Sequence, residues 1–351
     1  MNLIVKTGLA AGLDKLGLLS ALRYVRAARQ GIVLTFHRVL RDTDKHLSYD
    51  PHLVMSESVF EELLQLLQRE FQVVSLEEIL EHPERTNQGQ RVALSFDDGW
   101  EDTYSVVYPH LLRHRMPATV FLCTGLMEPS QMIPEERFGR IWQHCLETGS
   151  LPLLLQDLRK WGAPPSPSKN RYHWAQYLKK LTLKTKLVLL SHLEDSYCVP
   201  SDTRRRLMNW EEAAIMARNN IAFGSHTANH CTLTAEQDSY ILNELKRSRE
   251  DLFANLKIAT NYLAYPNGGY NARIMTLARE AGYTHAFTTR VDYVTRQTNP
   301  YAIPRFAMDD FVVADQTSTL NASRARFYLQ ALGSKSLARL FPGGASPVTA
   351  A

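Results

Sequence analysis

Short apolar segments alternate with amphipathic helical segments along most of this chain, and this alternation limits the folds available to it. Strands that are separated by helices pair in parallel, because each helix returns the chain to the start of the next strand. The predicted strands are residues 31–36, 71–75, 92–96, 118–123, 221–225, 262–265 and 285–289. Helices are predicted after Ser58 and near 101–114, 210–219, 236–256 and 271–281. The pattern predicts an α/β fold whose strands form either a barrel or a doubly wound sheet.

The first of these helices has a capping-box start. Ser58 is followed three residues later by Glu61, and the apolar residues around them are spaced for one helical face. We therefore expect this helix to begin at Ser58.

The alternation stops between about residues 127 and 209. The segment GAPPSPS at 162–168 is typical of a turn-rich linker, and the stretch from Lys169 to Leu193 has six basic residues and no acidic one. We interpret residues 127–204 as a helical insertion into a domain formed by residues 31–126 and 205–310. Its basic face is either an ordinary solvated surface or a contact for an anionic substrate or a membrane.

The two ends of the chain lie outside that domain. Residues 1–30 are predicted to form an amphipathic helix that either packs on its own domain or lies on a membrane surface. This segment is a poor signal peptide, and no other run is long and apolar enough to span a bilayer. These features predict a cytoplasmic location, peripheral to the inner membrane face if the helix lies on the bilayer. Residues 311–351 are predicted to form a C-terminal helix followed by a disordered tail.

Bulk charge and cysteine spacing give no support for nucleic-acid binding, a zinc knuckle or a redox motif. The formal net charge is +4, and the first thirty residues, with five basic residues against one acidic residue, account for all of it. The remaining chain is balanced, which gives no support for nucleic-acid binding. The four cysteines form no CxxC pair, so neither a zinc knuckle nor a redox motif is predicted.

Two adjacent aspartates, Asp97 and Asp98, follow the apolar strand 92–96 in the sequence VALSFDDG. Adjacent carboxylates raise each other's pKa unless a cation or hydrogen-bond donors compensate. The pair is therefore either a cap for the following helix or part of a metal or proton-transfer site.

Two histidines follow another predicted strand. His226 and His230 are separated by three residues, a spacing that lets both imidazoles reach one ion from a single turn. If both strands belong to one barrel, these histidines and Asp98 lie at the carboxyl ends of strands, where barrel enzymes keep their sites. Two histidines and one carboxylate form a zinc ligand set with one open position. Asp97 would then be free to act as a base.

Several segments resemble the polysaccharide deacetylases of the NodB homology class. The segments LSFDDG at 94–99, SHTANH at 225–230 and YLAYPNGGYN at 262–271 resemble the three motifs of that family in their order. LTFHRVL at 34–40 and PATVFLCTG at 117–125 resemble flanking segments. The resemblance covers about residues 31–126 and 205–310.

This resemblance implies a distorted (β/α) barrel with about seven parallel strands and a helical insertion. It implies Asp97 as the general base and Asp98, His226 and His230 as ligands of a divalent metal, most often Zn²⁺. The implied reaction is hydrolysis of an N-acetyl group on a hexosamine in polysaccharide synthesis. With no export signal predicted, the implied substrate is an N-acetylated glycan linked to a nucleotide or a lipid.

The sequence departs from the family pattern in two places. Ala264 or Tyr265 stands where many members have an arginine that orients the base, and Arg305 is our candidate to replace it, the alternative being a structural arginine. The late leucine-x-histidine segment that usually supplies the general acid is absent. In the branch of the biofilm poly-N-acetylglucosamine deacetylases an early histidine fills that role, and His37 lies at the corresponding place. Its alternative role is to end a strand without chemistry.

Further residues are candidates for substrate binding. The third motif offers Pro266, Asn267, whose backbone N–H can complete an oxyanion hole, and Tyr270, which can line a sugar pocket. Trp100 is a candidate platform for sugar stacking, and Arg305 is grouped with these residues. Each has an ordinary turn or packing role as the alternative.

Two other functions remain open on the same scaffold. One is an amidohydrolase for a non-sugar amide, since a fold does not fix its substrate. The other is a non-catalytic glycan-binding domain, which would not require the Asp97, Asp98, His226 and His230 set. The oligomeric state is not predicted.

Overall fold

The computed structural model describes residues 10–17, 19, 30–83, 89–127, 131–163 and 170–331. Its centre is a parallel sheet that contains most of its strands. In chain order the strands are β1 (Ile32–Phe36), β2 (Arg38–Leu40), β3 (Val54–Ser56), β4 (Phe71–Val73), β5 (Gln90–Phe96), β6 (Ala118–Leu122), β7 (Ile221–Ser225), β8 (Tyr262–Ala264), β9 (His285–Phe287) and β10 (Phe306–Ala307). All their pairings are parallel, as the alternation predicts.

The main sheet has the strand order β10-β1-β5-β6-β7-β8-β9, and β4 pairs with the first half of β5. The residues from 303 to 307 bring its two ends together, because Ile303 bridges to Phe287 in β9 while Phe306 pairs with Leu34 in β1. The predicted barrel of about seven parallel strands is confirmed. Strands β1 and β6 are buried at every position, since helices cover the outside of the sheet and side chains fill its inside.

Helices cover this sheet and form the insertion. They are α1 (Glu57–Glu70), α2 (Leu76–Glu81), α3 (Tyr108–His114), α4 (Pro134–Glu147), α5 (Leu151–Lys160), α6 (Arg171–Leu178), α7 (Leu183–Ser196), α8 (Trp210–Ala217), α9 (Asp238–Leu256), α10 (Ala272–Glu280), α11 (Asp310–Val313) and α12 (Ala322–Ala331). A π-helical turn, Thr103–Val107, precedes α3.

The start of α1 corrects one sequence prediction. The N-cap is Ser56, and Ser58 lies inside the helix, where its hydroxyl donates to Asp42 at 3.1 Å. The side chain of Ser56 does not cap α1, because its hydroxyl and its backbone N–H both donate to Asp310. A contact with a residue far along the chain therefore fixes this helix start.

Among its described residues, the predicted helical insertion contains four helices, α4 to α7. They share a hydrophobic core of their own, which includes Phe138, Trp142, Trp174 and Leu189. The insertion is thus a packed helical unit beside the barrel rather than an extended loop.

The described part of the N-terminal segment packs on α12. Residues 10–15 are helical, and Asp14 accepts hydrogen bonds from Ser323 and Arg326 at 2.6 and 2.8 Å. Most of the predicted helix at 1–30, and the predicted disordered tail at 341–351, lie outside the described residues. Across the described ranges, every helix is too short or too polar to cross a bilayer.

Candidate active site

The predicted site residues lie at one edge of the barrel. His37 follows β1, Asp97 and Asp98 follow β5, and His226 follows β7. Because these strands are parallel and belong to one sheet, the residues that follow them meet at its carboxyl edge. Backbone bonds fix the positions, since Asp97 N donates to Phe36 O at 2.9 Å and His226 N donates to Leu122 O at 2.8 Å.

Asp98, His226 and His230 form one buried cluster whose ligand atoms all lie within 4.8 Å of one another. Asp98 Oδ1 is 3.3 Å from His226 Nε2 and 3.5 Å from His230 Nε2. This oxygen is buried and accepts no hydrogen bond from the described residues. A buried carboxylate oxygen without a donor is costly, and a divalent cation would satisfy it. The donor set therefore fits a metal ion.

Hydrogen bonds to the other ring nitrogens fix how the two histidines are protonated. His226 Nδ1 lies 2.8 Å from the carbonyl oxygen of Ala264, and His230 Nδ1 lies 3.0 Å from Glu135 Oε2. Both partners are acceptors, so each neutral ring carries its proton on Nδ1. Each Nε2 then keeps its lone pair and points at Asp98, as metal ligation requires.

The loops that carry these ligands have unusual backbone angles. Asp98, Thr227 and His230 all have positive φ, at 74°, 65° and 52°. Non-glycine residues seldom adopt this region, and they are held there when surrounding contacts determine the loop. Glu244 on α9 supplies one such contact, because it accepts from both Asn229 N and Asn229 Nδ2.

Asp97 forms a buried bidentate ion pair with Arg305. The two guanidinium nitrogens lie 2.7 Å from the two carboxylate oxygens, and Arg305 is fully buried. Burial alone would raise the pKa of Asp97, but the charge of Arg305 and the hydrogen bonds from its guanidinium hold that pKa below its ordinary value. Asp97 is therefore an ionised carboxylate. Arg305 contacts Asp97, as anticipated, but its burial corrects its grouping with the substrate-binding residues.

His37 lies near both carboxylates. Burial lowers the pKa of His37, and the charges of Asp98 and Asp97 oppose this shift without reversing it. Its imidazole is therefore mainly neutral at neutral pH. The assignment of His37 as the general acid stays a prediction.

Trp100 does not have the predicted role of a platform for sugar stacking. Its side chain is only 2% exposed, and the guanidinium of Arg38 lies 4.5 Å from the centroid of its ring. The indole N–H donates to Asp98 Oδ2 at 2.8 Å. Trp100 thus holds a candidate metal ligand and has no open face for stacking on a sugar.

The third-motif residues lie in the loop after β8, at the same edge of the barrel. Pro266 is buried, whereas Asn267 and Tyr270 are partly exposed. Asn267 has a left-handed backbone, with φ 58° and ψ 9°. The ring of Tyr270 stacks on Tyr265 at 5.6 Å, so packing accounts for part of its placement. Substrate contacts of these three residues remain predictions.

Sequence reasoning missed a pair of residues from the insertion. Glu135 at the start of α4 reaches His230, and Lys186 on α7 donates to Glu135 Oε1 at 2.8 Å. The charge of Lys186 and the hydrogen bonds from His230 and Lys186 hold the pKa of Glu135 well below its usual range, although burial opposes this shift. Glu135 belongs to an acidic first helical turn, and nothing in that local pattern indicates a contact with a histidine 95 residues away.

Comparisons with known proteins agree with this geometry. The family described as polysaccharide deacetylase matches residues 84–151 and 164–286. A curated relative from Staphylococcus aureus strain MRSA252, the poly-beta-1,6-N-acetyl-D-glucosamine N-deacetylase, is 23% identical over 292 residues, which cover 83% of this chain and 78% of the relative.

Solved structures with the same fold include two further deacetylase-related proteins. The Streptococcus pyogenes deacetylase PplD, in complex with acetate, is 18% identical with a TM-score of 0.53, and the match covers 80% of this chain and 92% of that one. IcaB from Ammonifex degensii is 16% identical with a TM-score of 0.53, covering 86% and 98% of the two chains. At these identities the likeness supports the barrel fold.

Proposed function

This chain belongs to the polysaccharide deacetylase family, and on that premise we propose that it is a metal-dependent N-deacetylase of a β-1,6-linked N-acetylglucosamine polymer. The observation that carries the proposal is the convergence of Asp98, His226 and His230 around a buried carboxylate oxygen that has no hydrogen-bond donor. A non-catalytic glycan-binding domain would gain nothing from this arrangement.

The proposed polymer rests on the curated relatives. Their name specifies poly-beta-1,6-N-acetyl-D-glucosamine, and the similarity extends over most of both chains. The lipid-linked acceptor, the contact with a membrane and the cytoplasmic location stay predictions.

Three residues would hold the metal, which we propose to be Zn²⁺. Two imidazole nitrogens and one carboxylate oxygen are a ligand set typical of catalytic zinc. When bound, such an ion supplies Lewis acidity to the amide carbonyl and to the attacking water. The Nδ1 bonds of His226 and His230 keep both Nε2 atoms available for it.

Asp97 is the proposed general base. Its lowered pKa keeps it ionised at neutral pH, so it can accept a proton from the attacking water. The same ion pair with Arg305 weakens its basicity, and this is the cost of holding the carboxylate in one orientation. Arg305 thus positions the base.

His37 is the proposed general acid. An amine leaves poorly from a tetrahedral carbon unless it is protonated, so the reaction needs a donor near the amide nitrogen. Burial lowers the pKa of His37, which makes its protonated form a stronger donor but a less abundant one.

The proposal is tested by acetate release from β-1,6-linked N-acetylglucosamine oligomers, with metal-reconstituted protein. Asp97→Asn should abolish most of the activity while metal content stays the same, and His226→Ala should lose both. Acetate release from simple non-sugar amides but not from the oligomers would instead favour the amidohydrolase. A protein that binds no metal would contradict the proposal.

A further inference from the structure

The two candidate histidine ligands are oriented by different parts of the molecule. His226 donates its Nδ1 proton to the carbonyl of Ala264, which belongs to β8 of the barrel. The Nδ1 of His230 instead faces Glu135 Oε2 at 3.0 Å. Glu135 lies in α4, the first helix of the insertion. The insertion therefore contacts one of the candidate metal ligands.

A carboxylate at this position has a defined chemical effect on the ligand. It accepts the Nδ1 proton of His230, which fixes the tautomer and leaves the Nε2 lone pair for an ion. His230 needs this support, because it lies in a loop with a left-handed backbone and not in a strand. Outer hydrogen-bond partners of this kind typically change metal affinity by about 10–100-fold.

Lys186 explains how Glu135 can remain charged beside this site. Lys186 is fully buried, and its ammonium group lies 2.8 Å from Glu135 Oε1. A buried carboxylate without a partner carries a large desolvation cost, and the ammonium group offsets it. One oxygen of Glu135 is thus bonded to Lys186, and the other is directed at His230.

We propose that Glu135, held by Lys186, is a positioning residue for His230 and that the helical insertion thereby completes the metal centre. This inference rests on the proposed metal-dependent function. The competing explanation is that the two residues only fasten the insertion to the barrel. Both explanations predict some loss of stability on substitution. The test must therefore measure the tautomer of His230 and the affinity of the protein for zinc.

The first variant is Glu135→Gln in the full chain. Lys186 donates only, so it draws the amide oxygen of the new side chain and turns the amide N–H groups toward His230 Nδ1. The His230 tautomer should then switch, with the proton on Nε2 where the ion must bind. We expect zinc affinity, measured by competition with a chelator, to fall about 10–100-fold. Nitrogen-15 NMR of the metal-free protein should report the tautomer switch.

The second variant combines Glu135→Leu with Lys186→Met. It removes both charges, so neither is left buried alone, and the protein should fold. Its zinc affinity should still fall about 10–100-fold, because no acceptor faces His230. A positioning role and a fastening role are separated by this variant, since only the former predicts weak binding in a folded protein.

The matched control is Glu194→Gln. Glu194 also belongs to the insertion and pairs with Arg137 and Arg140, which are not candidate metal ligands. Its zinc affinity should equal that of the unmodified protein. Tight zinc binding by both Glu135 variants would overturn the inference alone, whereas an unmodified protein that binds no zinc would overturn the proposed function and this inference with it.

Discussion

Arg305 and Asp97 show how a single buried pair can set the state of a catalytic group. The guanidinium matches both carboxylate oxygens, a geometry that a lysine cannot reproduce. Further bonds to Thr288 O and Ser95 Oγ hold the guanidinium itself in place. The proposed base, Asp97, is thus oriented by the inside of the barrel rather than by the third motif.

Arg305→Met should be strongly destabilising. It leaves the Asp97 charge buried without its main partner, so we expect the free energy of unfolding at neutral pH to fall by about 3–5 kcal/mol. Urea denaturation measures this loss, and Asp97→Asn in the Arg305→Met background should recover part of it. Because the pKa of Asp97 is lowered in the folded state, the contribution of the pair exists above the unfolded pKa and is lost as pH falls through the folded value.

A control is available in the exposed pair of Lys160 and Asp157. Lys160→Met removes an ion pair in which the lysine is 66% exposed, and the change should stay below about 1 kcal/mol. An equal loss from Lys160→Met and Arg305→Met would contradict the importance assigned to burial.

His37→Gln tests the general acid. The substitution should lower kcat by about 10²–10⁴-fold while zinc content and KM change little, because the proton donor acts only in the transition state. Steady-state kinetics on the glycan oligomers provide the measurement. An unchanged kcat would mean that His37 only ends a strand and that another residue is the general acid.

Asp309 offers a prediction about pH and stability. Burial and the neighbouring charge of Asp310 raise the pKa of Asp309 to about 7 from an ordinary value of 3.8, although the bond from Val312 N opposes this shift. The folded state therefore keeps a proton that the unfolded state has lost, and this stabilisation disappears as pH rises through about 7.

Asp309→Asn keeps the cap on Val312 and has no charge to bury. At about pH 8 we expect it to be more stable than the unmodified protein by roughly 1–4 kcal/mol, measured by urea denaturation. The free energy of unfolding should be measured at about pH 5 and pH 8 in both proteins. A larger rise in the unmodified protein than in Asp309→Asn would contradict this assignment.

At the scale of the elements, the strands could be predicted closely and the contacts of the loops could not. The prediction for 221–225 agrees with β7 at both ends, because this strand is buried at every position except Ala222 and so appears in the sequence as a short apolar run. The helix start at Ser58 was wrong because Asp310, 254 residues from Ser56, takes part in fixing it. Local patterns carry no record of such contacts.

In the candidate site too, the residues of the sequence motifs could be predicted, and contacts between residues distant in sequence could not. Motif spacing was sufficient to predict the cluster of Asp98, His226 and His230, since Asp98 and His226 lie within two residues of a strand end and His230 lies in the loop that follows His226. The stacking role of Trp100 was wrong because Arg38, distant in sequence, covers its ring. Glu135 went unnoticed because it lies in a segment that the sequence marks only as an insertion.

At the scale of the whole molecule, two hydrophobic cores meet through buried charges. The insertion core and the barrel core are connected by Glu136, which lies 3.4 Å from Arg206 and 3.8 Å from Arg38, and by the Glu135 contact with His230. The match to the polysaccharide deacetylase family covers residues 84–151 and 164–286, so it includes parts of the insertion at 127–204. The match to the family is therefore not confined to the barrel.

Metal binding should stabilise the entire folded chain. A ligand that binds only the folded state adds about 4 kcal/mol to the free energy of unfolding at a thousand times its Kd. Zinc should therefore raise Tm in the unmodified protein and leave Tm unchanged in His226→Ala. Differential scanning calorimetry measures both, and an equal rise in the two proteins would place the ion elsewhere.

The proposed hydrolysis depends on a metal ion held by Asp98, His226 and His230. The most direct measurement is acetate release from β-1,6-linked N-acetylglucosamine oligomers before chelation, after chelation and after zinc is returned. Our account predicts activity that is lost with the metal and restored by about one equivalent of zinc per chain. Acetate release that continues undiminished after the metal has been removed would contradict it.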